Sequence, residues 1–327
     1  MEYVGVDVAK ETLEVADVSG SQGRSFPNTQ AGIQRFLRWL SRSFPKGGRH
    51  LIVEPTNTYH HPLVCALAAQ GVAYTLINPA QTAAFAKVQG KRAKTDRVDA
   101  RLLASLGESQ QPKPTPPPEE EQEGLKALRR HLEWLEKELH AARNRQEAAA
   151  FSPWTPKEVL DSLGRTIQQL EEEIALVRKA MASQQEQNQE WTRQMDLLTS
   201  IPGVGQQTAT LLLAEMPPVA RCSSARTWAA FCGLNPEPRQ SGKSTYSRLS
   251  RKGTPRVRAG LYLPAVSALR CNPVVKALGD RLRGRGKTGR VRIVAAMHKL
   301  LRLCFGVLKN GRPFDLSLHQ PILKVDI

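Results

Sequence analysis

The first 110 residues alternate short apolar runs with amphipathic stretches. The runs YVGVDVA, ETLEVADVS, RHLIVEP and VAYTLINP predict strands, the first two as a hairpin. The stretches AGIQRFLRWLSRSF and HPLVCALAAQG predict helices, the second closed by Gly71. Strands that alternate with helices indicate an α/β domain over residues 1–110, with a sheet covered by helices.

The middle segment, residues 111–195, changes character twice. The stretch PKPTPPPEEEQEG predicts an extended linker or a helix entrance. Two heptad seams follow, interrupted at FSPWTPKE. They predict a coiled-coil hairpin that either closes on itself or pairs with a second copy of the chain, so its role is dimerisation, spacing or simple intramolecular packing.

The last segment, residues 196–327, reads as mostly helical. Two helical stretches flank a turn at Ile201-Pro202-Gly203-Val204-Gly205, and VRIVAAMHKLLRLCFGVLK predicts a longer amphipathic helix. Two polar stretches, NPEPRQSGKSTYSRLSRKGTPR and RGRGKTGR, are predicted as loops. Both are rich in Arg, Lys and Gly.

Charge is concentrated in this last segment. The chain has a formal net charge of +17, and residues 196–327 hold 22 basic against 6 acidic side chains. A segment so charged repels itself without a counter-charge, and nucleic acid phosphate is the commonest one. A ribosome-like tail and mere solubility are the alternatives.

The composition excludes several other classes of protein. The five cysteines, scattered with no CxxC pair, argue against a disulfide framework or zinc module and favour a reducing compartment. There is no run of 18 apolar residues, and MEYVGVDVAKE lacks the pattern of a signal peptide. We therefore expect a soluble protein of the cytoplasm with no membrane partner.

Four carboxylates are candidates for metal chemistry. Asp7 falls within an apolar strand, where a carboxylate is costly unless a cation or hydrogen bonds hold it. Glu54 ends another apolar run, and Asp96 and Asp99 share one face if KTDRVDA is helical. Together they could bind one or two Mg²⁺ ions and act on a phosphodiester. Alternatively, Asp96 and Asp99 have no role in metal binding and lie at the solvent-exposed start of a helix.

Two features of the basic segment could contact phosphate. The turn at 201–205 resembles a helix-hairpin-helix element, although an ordinary interhelical turn fits equally well. Ser241 lies in a polar, glycine-containing loop beside cations, as a candidate nucleophile or as a plain turn residue. The candidate nucleic-acid contacts are Gly203, Gly205, Arg239, Lys243, Arg251, Lys252, Arg283, Arg285 and Lys287.

Four stretches together resemble the DEDD-type transposases of insertion sequence family 110, relatives of the Piv DNA invertase. They are VGVDVAKETL, VEPTNTYHHPL, INPAQTAAFAKVQGKRAKTDRVDARLLA, and the distal block from SIPGVGQQTA through FCGLNPEPRQSGKS to SRKGTPRVRAGLYLPA. The match spans both ends of the chain and leaves the hairpin as its variable part. One departure is Asn57, where the family commonly has glycine.

The resemblance implies a fold and a reaction. Residues 1–110 would form an RNase H-like (RuvC-like) domain in which Asp7, Glu54, Asp96 and Asp99 bind Mg²⁺. Ser241, in a mostly α transposase domain, would attack DNA to give a covalent phosphoserine link. A non-coding guide RNA would pair with target and donor DNA. Each active site would be built from two protomers of a dimer, or of a tetramer in the synaptic complex. The protein would work in the nucleoid of a prokaryotic cell.

Two rival functions remain open at this point. One is a RuvC-like, metal-dependent nuclease or resolvase that uses water as the nucleophile, with Ser241 structural. The other is a catalytically inactive nucleic-acid-binding assembly protein.

Overall fold

The computed structural model describes residues 1–44, 48–90, 96–241, 244–250 and 252–319, apart from the side chains of Asp96, Arg239, Ser241 and 244–246. The chain divides into two compact units, Met1–Glu119 and Glu120–Ile327. The predicted division at 110 and 195 into three functional segments stays a prediction.

The described residues of the first unit form five strands and four helices. Its strands are β1 (Glu2–Val8), β2 (Thr12–Asp17), β3 (Arg24–Pro27), β4 (Arg49–Glu54) and β5 (Tyr74–Leu76). Its helices are α1 (Gln30–Ser43), α2 (His61–Ala69), α3 (Pro79–Val88) and α4 (Asp96–Gln110). The predicted α/β class is confirmed, with β3 as a short strand that the sequence pattern did not indicate.

The five strands form one mixed sheet in the order β3-β2-β1-β4-β5. The pairs β1–β2 and β2–β3 are antiparallel, while β1–β4 and β4–β5 are parallel. A parallel pair needs a crossover connection, which α1 and α2 supply in turn.

Alternation along β1 assigns its residues to the two faces of the sheet. Val4, Val6 and Val8 are fully buried in a core with residues of α1 and α2. Tyr3 points to the other face and packs with Ile52 of β4 and Leu103 of α4. Because Gly5 and Asp7 share the face of Tyr3, α4 lies on the side of the sheet to which Asp7 points.

The proline-rich segment 111–119 is docked on the edge strand rather than free. The amide of Thr115 donates to Tyr74 O at 2.7 Å, and the amide of Leu76 donates to Thr115 Oγ1 at 2.9 Å. The hydroxyl of Thr75 donates to Lys113 O at 2.9 Å. The segment thus occupies polar groups that edge strand β5 would otherwise present to other chains.

The second unit is mostly helical. Its helices are α5 (Glu120–Phe151), α6 (Lys157–Gln187), α7 (Gln189–Thr199), α8 (Gln206–Glu215), α9 (Ala225–Phe231), α10 (Pro255–Gly260), α11 (Tyr262–Cys271), α12 (Pro273–Gly284) and α13 (Gly289–Asn310). It also contains a two-stranded sheet of β6 (Pro236–Ser241) and β7 (Ser244–Leu249), and two short 3-10 turns at Val219–Arg221 and Leu316–His319.

Helices α5 and α6 form an antiparallel hairpin within one chain. Arg143 pairs with Glu171 at 2.6 Å, and Arg178 pairs with Glu136 at 2.9 Å across the two helices. The buried seam residues are Leu125, Leu132, Leu135, Ala142, Ile174, Val177 and Met181. Most of these belong to the same core as the helices that follow, so the hairpin is an integral part of the second unit.

A buried asparagine joins two helix junctions of the second unit. Asn272, fully buried, accepts hydrogen bonds through Oδ1 from the amides of Val274 and Val275 and so caps α12. Its amide nitrogen donates to Pro202 O at 3.1 Å. The α7–α8 turn is thereby tied to the start of α12.

The prediction of a polar loop after α9 is wrong for residues 236–241 and 244–249. These residues form the β6–β7 hairpin, in which Pro236 pairs with Leu249 and Ser241 pairs with Ser244. Strands with two prolines and few apolar residues carry no alternating signal, which explains the miss. In the part of the chain that the structure describes, no helix is long and apolar enough to cross a membrane.

Candidate active site

Asp7 and Glu54 lie next to each other at the carboxyl ends of two parallel strands. They are register partners of β1 and β4, so their Cα atoms are about 4.8 Å apart. Both side chains point to the face that α4 covers, and both are half-buried. Two of the four predicted metal ligands are therefore brought together by the sheet register alone.

Helix α4 carries the other two carboxylates and runs antiparallel to β1. Gly107 of α4 lies against Tyr3, and Ala104 and Ala100 lie against Gly5. Two strand residues span about 6.6 Å, which about four helix residues match. Asp99 in the first turn of α4 therefore lies near the level of Asp7. Asp96 starts the helix, and its side chain is outside the described part.

Gly5 sets the distance between α4 and the sheet. A Cβ atom at Gly5 would lie 2.6 Å from the amide nitrogen of Ala104 and closer still to the carbonyl oxygen of Ala100. Only glycine permits so close a crossing. Sequence reasoning missed this role, although an isolated glycine inside a strand is itself a signal of close backbone approach.

Asn28 ties together the segments that follow the two acidic strand ends. Its amide nitrogen donates to Ala9 O at 2.9 Å and to Tyr59 O at 3.0 Å, and its backbone amide donates to Glu11 O at 2.8 Å. Ala9 follows β1, and Tyr59 lies in the loop after β4. Nothing in the sequence pattern singles out this residue.

Asn57 lies in the turn after Glu54, at the position where the resemblance implies a glycine. Its φ is +47°, in the left-handed region. Asparagine is one of the few non-glycine residues that adopt this region readily. The turn after Glu54 thus keeps a glycine-like backbone.

The described side chains do not by themselves complete a metal site. Among them there is no group of three or more His, Cys, Asp or Glu residues that could hold a metal ion. The fourth carboxylate of the predicted set, that of Asp96, lies outside the described side chains. The donors that are present are carboxylate oxygens, which suit Mg²⁺ better than softer metals.

The turn between α7 and α8 contains two glycines, Gly203 and Gly205, in different surroundings. Gly203 has φ +96°, and a Cβ there would lie 2.8 Å from Cβ of Ala268 in α11. Gly205 is exposed and forms the N-cap of α8, with open space where its Cβ would be. Gly203 is therefore needed for packing, while the start of α8 at Gly205 is accessible to a ligand.

Ser241 is the last residue of strand β6. The sequence analysis placed it in a flexible loop, which is wrong, because its backbone pairs with Ser244 in the ladder. Its side chain lies outside the described part. Backbone pairing in a strand restricts the backbone of Ser241 more than a loop would.

The predicted basic contacts have mixed surroundings. Lys252 pairs with Glu237 at 3.1 Å, and Arg283 has Asp280 one turn away at 3.9 Å. Arg285 and Lys287 are exposed between α12 and α13. The backbone of Arg239 pairs with Tyr246, while Lys243 and Arg251 lie outside the described residues.

Comparisons with known proteins agree over both units. A family model described as the DEDD-type IS110 transposase matches residues 4–150. A second, described as "Transposase IS116/IS110/IS902 family", matches residues 195–280.

Relatives match along the whole chain. The "Pilin gene-inverting protein" of Moraxella bovis and that of Moraxella lacunata are each 30% identical, with 97% of this chain and 99% of each relative covered. An "Insertion element IS110 uncharacterized 43.6 kDa protein" of Streptomyces coelicolor is 28% identical over 36% of this chain and 30% of that protein.

The matched regions include the strands that carry Asp7 and Glu54, helix α4 and the β6–β7 hairpin. Full-length similarity at this level does not arise from a shared module alone. The chain is thus a DNA-recombining enzyme that belongs to the IS110 family of transposases.

Proposed function

We propose that this transposase cuts and rejoins DNA strands through Ser241, with Asp7, Glu54, Asp96 and Asp99 as ligands of one or two Mg²⁺ ions. The register pairing of Asp7 with Glu54 is the observation that carries the proposal. A strand order of β3-β2-β1-β4-β5, with the acids at the ends of the central strands, fits an RNase H-like (RuvC-like) fold.

The reaction is a pair of phosphoryl transfers. The Ser241 oxygen bonds to phosphorus while a bond from phosphorus to a deoxyribose oxygen breaks. The proton that the serine hydroxyl loses passes to the released deoxyribose oxygen, which becomes a hydroxyl end. Attack by the hydroxyl end of another strand reverses the exchange and restores Ser241. Bound Mg²⁺ would lower the barrier by neutralising charge on the phosphoryl oxygens.

Residues of the chain hold the reactants in place for these steps. Asp7 and Glu54 supply adjacent carboxylates from a rigid sheet. The strand position of Ser241 limits the backbone freedom of the nucleophile. Since the acids belong to the first unit and Ser241 to the second, sites composed from two protomers remain part of the proposal.

The charge of residues 196–327 and the similarity to known transposases support nucleic acid as the partner. Residues 196–327 hold 22 basic side chains against 6 acidic ones, which favours grip on phosphate. We include in the proposal a non-coding guide RNA that reads target and donor DNA by base pairing. The name of the Moraxella relatives, pilin gene-inverting protein, favours a second candidate, protein-directed DNA inversion.

A homo-oligomer is the proposed working form, with the α5–α6 coiled-coil hairpin as one contact. Phe151 and Trp154, near the turn of this hairpin, are exposed at 93% and 88%. Aromatic side chains so exposed are common at contacts between proteins.

The test of the nucleophile is a covalent adduct. Wild-type protein with Mg²⁺ and end-labelled DNA should give a band that resists denaturant, and Ser241→Ala should abolish it while DNA binding survives. Ser223→Ala, an exposed serine of the same unit, is the matched control and should form the adduct. Adducts from Ser241→Ala would refute the assignment, and free 5′-phosphate ends without any adduct would establish the water-using nuclease.

The test of the guide is RNA dependence. RNA that co-purifies with the protein should come from sequence next to its gene, and ribonuclease treatment should abolish strand exchange. Exchange that survives complete RNA removal would favour protein-directed inversion.

A further inference from the structure

A cleft of about 730 Å³ opens between the β6–β7 hairpin, α12 and α13. We call it the α12–α13 cleft. None of the basic residues that line it belongs to the contacts predicted from the sequence. The size is that of a site for a small organic ligand or part of a polymer.

One face of α13 forms a wall of the cleft. Its residues follow helical spacing along three turns, and they are Val291, Val294, Ala295, His298, Lys299 and Arg302. The opposite face of the helix, with Ala296, Leu300 and Cys304, is fully buried in the core of the unit. The cleft face is therefore the side of α13 that this unit leaves uncovered.

The cleft combines an apolar strip with a rim of cations. Val294 and Ala295 of α13 and Leu278 of α12 contribute to the strip and are half-buried. Arg290 and Arg302 are exposed at the rim, and α12 adds the half-buried Arg281. Among the described residues that line the cleft, none is an aspartate or glutamate.

The cations of the cleft act on one another. Burial lowers the pKa of Lys299, and the nearby Arg302 and Arg281 lower it further. Burial, Arg302 and Lys299 lower the pKa of His298 in the same way. The local potential is positive enough to disfavour further positive charge, which is the condition that a bound polyanion relieves.

We propose that the α12–α13 cleft binds a single nucleic acid strand, with phosphates on Arg281, Lys299 and Arg302 and an unpaired nucleotide against the apolar strip. The inference rests on the proposed nucleic acid function and adds a site to it. A duplex turns its bases inward and would leave the strip without a partner, whereas an unpaired nucleotide offers both phosphate and an apolar ring face.

The lining also indicates how selective the site is. The strip is aliphatic, and no Phe, Tyr or Trp is among the described residues that line the cleft. The imidazole of His298 is the one ring among these residues. Binding should therefore depend mainly on phosphate charge and tolerate any sequence. Such a site suits a strand that base pairing elsewhere selects.

The experiment compares two triple variants of the full-length protein. Arg281→Gln/Lys299→Gln/Arg302→Gln removes three cations of the cleft. Arg145→Gln/Arg165→Gln/Lys179→Gln removes three exposed cations of the α5–α6 hairpin and is the charge-matched control. Affinities for a labelled single-stranded oligonucleotide and for a duplex of the same sequence are measured from 0.05 to 0.3 M salt, after melting curves confirm that both variants fold.

The cleft variant should bind the single strand about tenfold or more weakly than the control, with a salt slope lower by about 2. Its affinity for duplex should match that of the control. Equal single-strand affinities of the two variants would overturn the proposal, and an equal loss for duplex would overturn the assignment to an unpaired strand.

Two further measurements keep the inference falsifiable if the triple variant fails to fold. Val294→Asp places a carboxylate on the strip and should weaken single-strand binding, whereas Val294→Leu should not. Wild-type protein crosslinked to a photoreactive single strand should yield labelled peptide from Val291–Arg302. Label confined to other peptides would refute the site.

The outcome is separable from that of the nucleophile test. If Ser241 adducts form and the cleft variants bind normally, the cleft is wrong and the recombination mechanism stands. If the cleft binds as expected and no adduct ever forms, the reverse holds.

Discussion

Gly5 and Ala100 are in direct backbone contact, so that α4 crosses β1 with no room for a side chain between them. This crossing lies two residues from Asp7 and one from Asp99. It couples the position of the carboxylates on α4 to that of the carboxylates on the sheet. The spacing of the acidic site is thus set by a residue that has no functional group.

Gly5→Ala should separate α4 from the sheet and lower adduct formation by about a hundredfold, because an ångström-scale misplacement of reacting groups is enough for such a loss. The measurements are the amount of denaturant-resistant protein–DNA adduct and the melting curve of each variant. Gly164→Ala, on exposed α6 with only a flexible glutamine side chain nearby, is the control. Wild-type adduct levels in Gly5→Ala would contradict this account.

Asn28→Ala should weaken the link between the ends of the two acidic strands. It removes hydrogen bonds to Ala9 O and Tyr59 O, at a cost of about 1–3 kcal/mol of unfolding free energy. Adduct formation should fall, with DNA affinity retained. Asn28→Asp keeps the shape without the donors and should show the same loss, whereas full adduct formation in both variants would exclude a positioning role.

Arg130→Met should destabilise the second unit by about 3–5 kcal/mol, because it leaves a buried carboxylate without its partner. Arg130 donates to Glu215 at 2.8 and 2.9 Å, and the Glu215 side chain is only 4% exposed. The hydrogen bonds to Glu215 also raise the pKa of Arg130. Denaturant unfolding of the variant gives the free energy.

The double variant Arg130→Met/Glu215→Leu supplies the control for that prediction. It replaces the ion pair with apolar side chains and should recover most of the lost stability. A double variant as unstable as Arg130→Met would show that the buried carboxylate is not the cause.

His50 should make the first unit less stable as the pH falls. Its ring is almost fully buried and lies 2.7 Å from Thr75 Oγ1. Burial lowers its pKa below the ordinary 6.5, so below about pH 6.5 the unfolded state binds more protons and stability declines. Each unit of pKa depression contributes about 1.4 kcal/mol.

Hydrogen exchange of β4 and β5 amides between pH 7 and 5 measures this effect. His50→Gln, which does not titrate, should reduce the decline. If His50→Gln lost stability with falling pH as much as the wild-type protein does, His50 would not be the cause of the decline.

Much of the first unit could be predicted from its sequence because its strands and helices have clear periods. The run YVGVDVA alternates on a two-faced sheet, and its break in apolar character at Asp7 marked the candidate site. The register that sets Asp7 beside Glu54 could not be predicted, since it depends on α1 and on the pairing of residues that are 47 positions apart.

In the second unit the hairpin helices were predicted from heptads, but β6–β7 was not. The strand PEPRQS has two prolines and no apolar alternation, and it is ordered by its pairing with STYSRL, which lies later in the chain. The α12–α13 cleft was also invisible, because Arg281 and Arg302 are 21 positions apart and only the packing of α12 on α13 brings them to one surface.

Residues 111–119, which follow α4, dock on strand β5 and so cover an edge of the sheet. A chain cut after α4 would expose the polar backbone groups of Tyr74 and Leu76 along a sheet edge, and such edges pair between molecules. Deletions in this segment should therefore first make the protein insoluble, rather than change the distance that the segment can span as a linker. The residues that look like a tether in the sequence act as the closing strip of the sheet.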